Sequence, residues 1–226
     1  MGEALGKALK EVPITMVSGW LPAMDLVGTA AFALSGPLVA MRKRLDLFGL
    51  VVLALTTALG GGILRALILG NTPPEAFRSP LSLVVALAAA SAALFLPRGP
   101  EGGKGLFLLC DAVGLGAFTV EGALVCLRLG QTSAVPVLFM ACLTGVGGGM
   151  IRDLLVREIP FVLRREVYAT ASLAGGGLFL LLLPLTGEVA AAFLAFGSVV
   201  ALRLSSLALG LRLPMARRLL RRGFPS

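Results

Sequence analysis

The stretch that decides the fold is LTGVGGGMIRDLLV, at residues 143–156. It places three consecutive glycines, an arginine and an aspartate inside an apolar run. A closely similar stretch, LTTALGGGILRALIL, occupies residues 55–69. Glycine is a poor helix former, and a charged side chain is costly in hydrocarbon. Two copies of so costly a pattern indicate a function for the glycines and charges within a membrane-embedded helix.

The composition is that of a membrane protein with no soluble domain of any size. The chain has 226 residues, of which 57% are hydrophobic and 14% are charged, whereas about a quarter of the residues in a soluble domain are charged. There is no histidine, which excludes a His-based metal site and a His general base. The three cysteines lie inside apolar blocks and are expected to pack as small residues. No nucleophile–base pair or metal-ligand cluster is visible, so we expect neither an enzyme nor a bound cofactor or metal.

Seven apolar blocks are long enough, or nearly so, to cross a bilayer, which needs about 20 residues. The third is short and is bracketed by Pro80 and Pro97, as suits helix ends. The pattern predicts an all-α, multi-pass protein of the cell (inner) membrane, with spans at 20–40, 47–69, 81–97, 106–129, 134–156, 167–186 and 189–210.

The basic residues predict the orientation of these spans. Alternate loops and ends place 13 Lys and Arg on one side and four on the other. Since Lys and Arg favour the cytoplasmic side, the N-terminus is expected outside and the C-terminus in the cytoplasm. The basic tail, residues 211–226, then anchors the topology, with contact to lipid headgroups as a second interpretation. This placement also accounts for the net charge of +8 without a nucleic-acid partner.

The chain contains an internal repeat. A shift of 86 residues carries Asp25 onto Asp111, and a shift of 87 carries the first glycine triplet and Arg65 onto the second triplet and Arg152. Each copy holds three spans, so the second copy enters the membrane from the opposite side. We therefore expect two inverted three-helix repeats, a seventh helix and a basic tail, at 20–97, 106–186, 189–210 and 211–226. Inverted repeats are typical of transporters and place a pathway between the copies.

Two uses can offset the cost of the glycine triplets. Glycine allows close approach of another helix, and it allows a helix to bend or unwind so that carbonyls face a water-filled path. Packing alone is the alternative. Their symmetric placement, followed each time by an arginine, favours pore kinks at Gly60, Gly61, Gly62, Gly147, Gly148 and Gly149.

Ionisable residues within spans are functional candidates. Here they are Asp25, Arg65, Asp111, Glu121, Arg152, Asp153 and Arg203. Estimated depth predicts two facing sites, Asp25 with Arg65 and Asp111 with Arg152, one at each mouth of the pathway. Structural ion pairs between helices are the alternative. Glu121 and Arg203 both lie near mid-membrane, and their pairing would rest on depth alone.

These features resemble the prokaryotic trimeric intracellular cation (TRIC) channels and the related bacterial membrane proteins described as glycine transporters. The most specific elements are TGVGGGMIRDLL followed by Pro160, and TALGGGILRALI followed by Pro73. The first copy departs from the second by carrying Ala66 where the second has Asp153. The resemblance implies that the second and fifth helices kink at the glycines and line a potassium-permeable pore within each subunit of a homotrimer.

A monovalent cation channel, with potassium as the implied ion, is therefore the leading functional hypothesis. Its expected partners are monovalent cations, membrane lipids and further copies of the chain. A secondary carrier for a small amino acid such as glycine is the alternative, because an arginine and a broken helix also suit a carboxylate. A membrane scaffold or partner subunit is a third interpretation, which the buried charges disfavour.

Overall fold

The computed structural model describes residues 19–78, 80–96, 102–164 and 167–210, and within them the secondary structure is entirely helical. The predicted tail at 211–226 and Pro97, the predicted end of the third span, lie outside the described residues. The helices are α1 (Trp20–Arg42), α2 (Leu47–Ile68), α3 (Glu75–Arg78), α4 (Pro80–Ala93), α5 (Gly102–Arg128), α6 (Ala134–Leu155), α7 (Phe161–Arg164) and α8 (Ala169–Ala208).

Five of these helices, α1, α2, α5, α6 and α8, are long and apolar enough to cross a membrane. Helix α4 has only 14 residues and begins at Pro80, a position that favours proline because its amide needs no partner there. Helix α8 has 40 residues and is broken at Gly187, whose φ is 80°. The break lies between the predicted sixth and seventh spans. The all-α membrane fold is thus confirmed, whereas the count of seven spans stays a prediction.

The ends of four helices show the repeat in the backbone. A residue in the left-handed region follows each of them: Arg44 (φ 56°), Gly70 (φ 68°), Gly130 (φ 84°) and Arg157 (φ 56°). The shift of 86 carries Arg44 onto Gly130, and the shift of 87 carries Gly70 onto Arg157. Such residues end helices by capping the last carbonyls. Equivalent helices in the two copies therefore end in the same way, with arginine at one position of each pair and glycine at the other.

Helices α1 and α5 contact each other through a pair of equivalent positions. Gly28 lies against the ring of Phe118, and Gly114 lies against the ring of Phe32. The two rings are 5.3 Å apart between centroids. As residue numbers rise along α1, those of the contacting residues on α5 fall, so the helices are antiparallel. A two-fold rotation that exchanges antiparallel helices has its axis perpendicular to them, which is the relation that an inverted repeat requires.

Helix α5 lies at the centre of the molecule and packs against α1, α6 and α8. Its buried small residues, Ala112, Ala117 and Ala123, let these neighbours approach closely. Close backbone approach is the main source of association between helices in lipid, where burial of apolar side chains adds little. The charged residues within these helices are therefore held on a tightly packed frame.

Candidate functional site

Helices α2 and α6 cross at their glycine triplets. A Cβ added to Gly61 would overlap the carbonyl oxygen of Thr144, and one added to Gly148 would overlap the carbonyl oxygen of Thr57. The two contacts are equivalent under the repeat. Both helices are continuous through the triplets. Close approach of two backbones is therefore one use of these glycines, and the kink expected at the triplets stays a prediction.

The third glycine of each triplet lies beside the arginine that follows it. A Cβ on Gly62 would be 3.8 Å from Arg65 Nη2, and one on Gly149 would be 3.6 Å from Arg152 Nη2. Side chains on a helix lean toward its N-terminus, so a residue covers the turn before it. Each glycine thus leaves room for the guanidinium to lie back along its own helix, toward the crossing point.

The second repeat holds its charges in what we call the closed half, formed by Asp111, Arg152, Tyr168 and Ser35. Arg152 Nη1 donates to Asp111 Oδ1 at 3.0 Å and to Ser35 Oγ at 3.0 Å, while its Nε donates to Asp153 Oδ1 at 2.9 Å. The Tyr168 hydroxyl donates to Asp111 Oδ1 at 3.3 Å. The side chains of Asp111 and Arg152 are 0% exposed. The predicted Asp111–Arg152 pair is present, but water does not reach it in this structure.

Aromatic rings surround the guanidinium groups of the closed half. Arg152 lies 4.8 Å from the ring centroid of Phe107 and 5.9 Å from that of Phe161. Arg203 lies 4.7 Å from the ring centroid of Tyr168, and its Nη2 is 3.9 Å from Asp111 Oδ2. Contact with an aromatic face stabilises a cation that has lost water.

The open half consists of Asp25, Arg65 and Ser82 of the first repeat and Glu121 of the second, around a cavity of about 360 Å³. Arg65 Nη2 lies 2.8 Å from Glu121 Oε1, and Ser82 Oγ donates to Asp25 Oδ2 at 3.0 Å. Arg128 also lines the cavity and is bound to Glu188 at 2.9 Å. The volume is within the range of small-molecule sites.

A protein-family model described as Glycine transporter matches the chain twice, at residues 22–98 and 108–184. Together the two matches cover more than half of the sequence. The chain belongs to this glycine transporter family. The twofold match coincides with the two sets of equivalent contacts described above.

Curated relatives of this family member are named as membrane proteins. The UPF0126 membrane protein of Vibrio cholerae is 45% identical over 157 residues, which are 68% of this chain and 64% of that protein. The chain thus spans just under two thirds of the Vibrio protein. The UPF0126 inner membrane protein YadS of Escherichia coli K12 is 42% identical over 71% of this chain and 76% of its own length.

Solved structures similar to this glycine transporter family member are TRIC channels. A trimeric intracellular cation channel orthologue from Rhodobacter sphaeroides superposes with a TM-score of 0.80 at 35% identity, covering 86% of this chain and all of that one. A prokaryotic TRIC channel gives 0.78 at 34% identity, over 85% and 98%. The TRIC resemblance is confirmed. The protein is a multi-pass membrane protein.

The pairing predicted for Arg65 differs from that in the structure. Arg65 and Asp25 line the same cavity, but the ion-pair partner of Arg65 is Glu121. The reason is that each arginine contacts the same position of the other repeat. Arg65 contacts Glu121, and Arg152 donates to Ser35, which the shift of 86 aligns with Glu121. Glu121 and Arg203, which share only their estimated depth, have different partners: Glu121 is held by Arg65, and Arg203 lies beside Asp111. Depth in the membrane alone does not determine which residue an arginine pairs with, because residues at the same depth lie on different sides of its helix.

Other site residues were not anticipated from the sequence of this glycine transporter family member. They are Ser35, Ser82, Phe107, Arg128, Phe161, Tyr168 and Glu188. Ser82 and Tyr168 carry a signal that is visible in retrospect. The shift of 86 aligns Ser82 with Tyr168 in the sequence, and the hydroxyl of each donates to the aspartate of its own repeat.

Proposed function

We propose that this protein is a monovalent cation channel whose pathway runs between the two repeats, along α2 and α6. The support comes from the TRIC channel structures, which match nearly the whole described chain at 34–36% identity with TM-scores of 0.76–0.80. Those proteins are named as cation channels. The cavity of the open half is the entry to the pathway, and the crossing of the two glycine triplets is its narrow part.

The charge of the cavity is consistent with cation entry. Its lining contains three acidic residues, Asp25, Glu75 and Glu121, and two arginines, Arg65 and Arg128, which is a formal excess of one negative charge. A negative excess inside a cleft raises the local concentration of cations. In this proposal Asp25 attracts the cation, while Arg65 neutralises Glu121 and so prevents a deep trap.

Potassium as the ion, a homotrimer with one pore in each subunit, and a cytoplasmic C-terminus belong to the same proposal. The first two are supported by the resemblance to TRIC channels, and the third by the bias of Lys and Arg among the loops. Small residues on α4, such as Ala86 and Ala90, are buried against α1 and α2, which leaves the leucines and valines of this helix for contact with lipid or a neighbouring subunit.

Reconstitution of the purified full chain in planar bilayers tests the proposal. We expect resolvable current steps in symmetric potassium chloride and, under a gradient, a reversal potential near that of the cation. The Asp25→Asn variant is expected to reduce the conductance, and Asp46→Asn, which changes an exposed carboxylate that caps the N-terminus of α2, is the matched control. Current steps that reverse at the chloride potential, or no steps at all, would contradict the proposal.

A carrier for a small amino acid is the second candidate, and one feature of the cavity favours it. Arg65 Nη1 and Glu121 Oε2 are buried and have no hydrogen-bond partner among the described residues. A free guanidinium N–H and a free carboxylate oxygen match the two ends of a zwitterion. Saturable uptake of labelled glycine into proteoliposomes, without current steps, would establish the carrier instead of the channel.

A further inference from the structure

The two halves of the pathway share an aspartate, an arginine and a hydroxyl that donates to the aspartate, but they differ in their access to water. In each half a hydroxyl donates to the aspartate: Ser82 to Asp25 at 3.0 Å, and Tyr168 to Asp111 at 3.3 Å. The open half surrounds a cavity of about 360 Å³, whereas the acid and the arginine of the closed half are fully buried. The difference must lie in the residues around the shared groups.

Three substitutions distinguish the walls of the two halves. A shift of 86 residues compares them: α3, Glu75–Arg78, falls on α7, Phe161–Arg164, and the buried alanines of α4 fall on buried residues of α8. Three residues that line the cavity of the open half then fall on aromatic residues of the closed half. They are Leu21, Glu75 and Ser82, aligned with Phe107, Phe161 and Tyr168.

These aromatic residues fill the space that the cavity occupies in the open half. The rings of Phe107 and Phe161 are 5.7 Å apart, and both lie over the Arg152 guanidinium. The Tyr168 hydroxyl is 2.9 Å from the position of a Cβ on Gly149. Around the equivalent Gly62, Arg65 is the one residue in the described part of the chain that comes within 4 Å of such a Cβ.

The departure between the repeats at Asp153 belongs to the same arrangement. Asp153 Oδ2 accepts a hydrogen bond from the backbone amide of Phe161 at 2.9 Å, and its Oδ1 accepts from Arg152. Its equivalent, Ala66, lines the cavity of the open half. The Asp153 carboxylate therefore holds the start of α7, and with it the ring of Phe161, over Arg152 in the closed half.

We propose that Phe107, Phe161 and Tyr168 form a lid over a second mouth of the pathway. In this second mouth Asp111 attracts a small monovalent cation, as Asp25 does in the cavity of the open half. This inference rests on the proposed function for the identity of the ion. Its geometry comes from the comparison of the two halves. When the lid moves away, the closed half becomes a second cavity on Asp111 and Arg152.

Two buried polar atoms support the existence of a hydrated, open state. Asp111 Oδ2 and Arg152 Nη2 have no hydrogen-bond partner among the described residues. Buried polar atoms without partners are rare and need an explanation. Water that enters beneath the lid supplies these bonds, and this gain offsets the loss of aromatic contacts with the two arginines.

Cysteine labelling tests the lid directly. Ser35→Cys places a thiol at the closed half, in a chain whose three native cysteines are replaced by alanine. The reagent is methanethiosulfonate ethylammonium, which is small, cationic and water-soluble, applied to both faces of permeabilised membrane vesicles. We expect slow labelling in this parent. Adding Tyr168→Ser introduces the residue that stands at the aligned position 82 of the open half. This change is expected to raise the labelling rate by about tenfold or more, because the open state of the parent is a minor state that is at most about a tenth populated.

Tyr168→Phe is the matched control, because it keeps the ring and removes the hydroxyl. It is expected to label as slowly as the parent. Equal rates for the serine and phenylalanine variants, whether both slow or both fast, would overturn the lid, because the size of residue 168 would then not control access.

The reverse exchange covers the case in which Tyr168→Ser fails to fold. Val125→Cys places a thiol in the cavity of the open half, and Ser82→Tyr is expected to slow its labelling severalfold, whereas an unchanged rate overturns the lid. Labelling does not depend on transport. A protein that labels as expected but passes no potassium current would refute the proposed function and leave the lid intact.

Discussion

Alanine at Gly61 is the sharpest test of what the glycine triplets do. The added methyl group would overlap the carbonyl oxygen of Thr144, which is backbone inside a helix and cannot turn aside. Restoring an ordinary contact requires α2 and α6 to separate by about 1 Å. Forced overpacking of this kind costs about 1–3 kcal/mol.

The neighbouring glycine supplies the control. At Gly62 the added methyl group would lie 3.8 Å from Arg65 Nη2, which is an ordinary contact with the end of a flexible side chain. Both substitutions gain helix propensity, about 1 kcal/mol each. The difference in free energy of unfolding between the two variants therefore isolates the overlap, and we expect Gly61→Ala to be the less stable by about 1–3 kcal/mol.

Thermal unfolding of the purified full chain in mild detergent measures this difference. One kcal/mol corresponds to about 2–4 °C for a soluble chain of this size, so Gly61→Ala is expected to melt several degrees below Gly62→Ala. Cation flux is expected to fall in Gly61→Ala and to stay near the wild-type value in Gly62→Ala. If Gly61→Ala melts at or above Gly62→Ala, the triplet is not the point of closest approach between the helices.

Three further outcomes are expected. Arg152→Ala leaves two buried carboxylates without their partner and should lose about 3–5 kcal/mol of stability; Asp111→Asn in the same chain should restore part of it, and a calorimetric scan showing no rescue would separate the two residues energetically. A cysteine at Ser226 should resist impermeant maleimide in intact cells while one at Ser79 reacts, and the opposite pattern would invert the topology. Native mass spectrometry in mild detergent should show a trimer, against which a stable monomer or dimer would count.

The fold was largely predictable because its main signals are costly ones. Glycine triplets and arginines inside apolar runs are unfavourable unless they are used, so their recurrence at a fixed shift reveals the repeat. The composition and the long apolar blocks required a membrane protein. One point stayed open in the sequence, because glycine serves both bending and close approach. The contact between Gly61 and Thr144 shows the second use, and the first stays a prediction.

The partners of the charged residues were less predictable. An arginine on a membrane helix reaches neighbours on either side, and sequence gives its depth but not its direction. Asp111–Arg152 was correct, while Arg65 was found to bind Glu121 on the other repeat. The aromatic residues of the closed half gave no signal of their own, because Phe and Tyr are ordinary in apolar segments. Their meaning depends on the comparison with the open half.

The reciprocal contacts between the repeats have a consequence for the origin of the chain. Gly28 meets Phe118 as Gly114 meets Phe32, so the surface that each repeat presents is complementary to itself. A self-complementary surface is the kind that joins identical subunits about a two-fold axis. An ancestral three-helix protein that inserted into the membrane in both directions would already have made this interface with a second copy of itself. In one chain that carries both copies, each copy can change alone, and Ser82 and Tyr168 are such a difference.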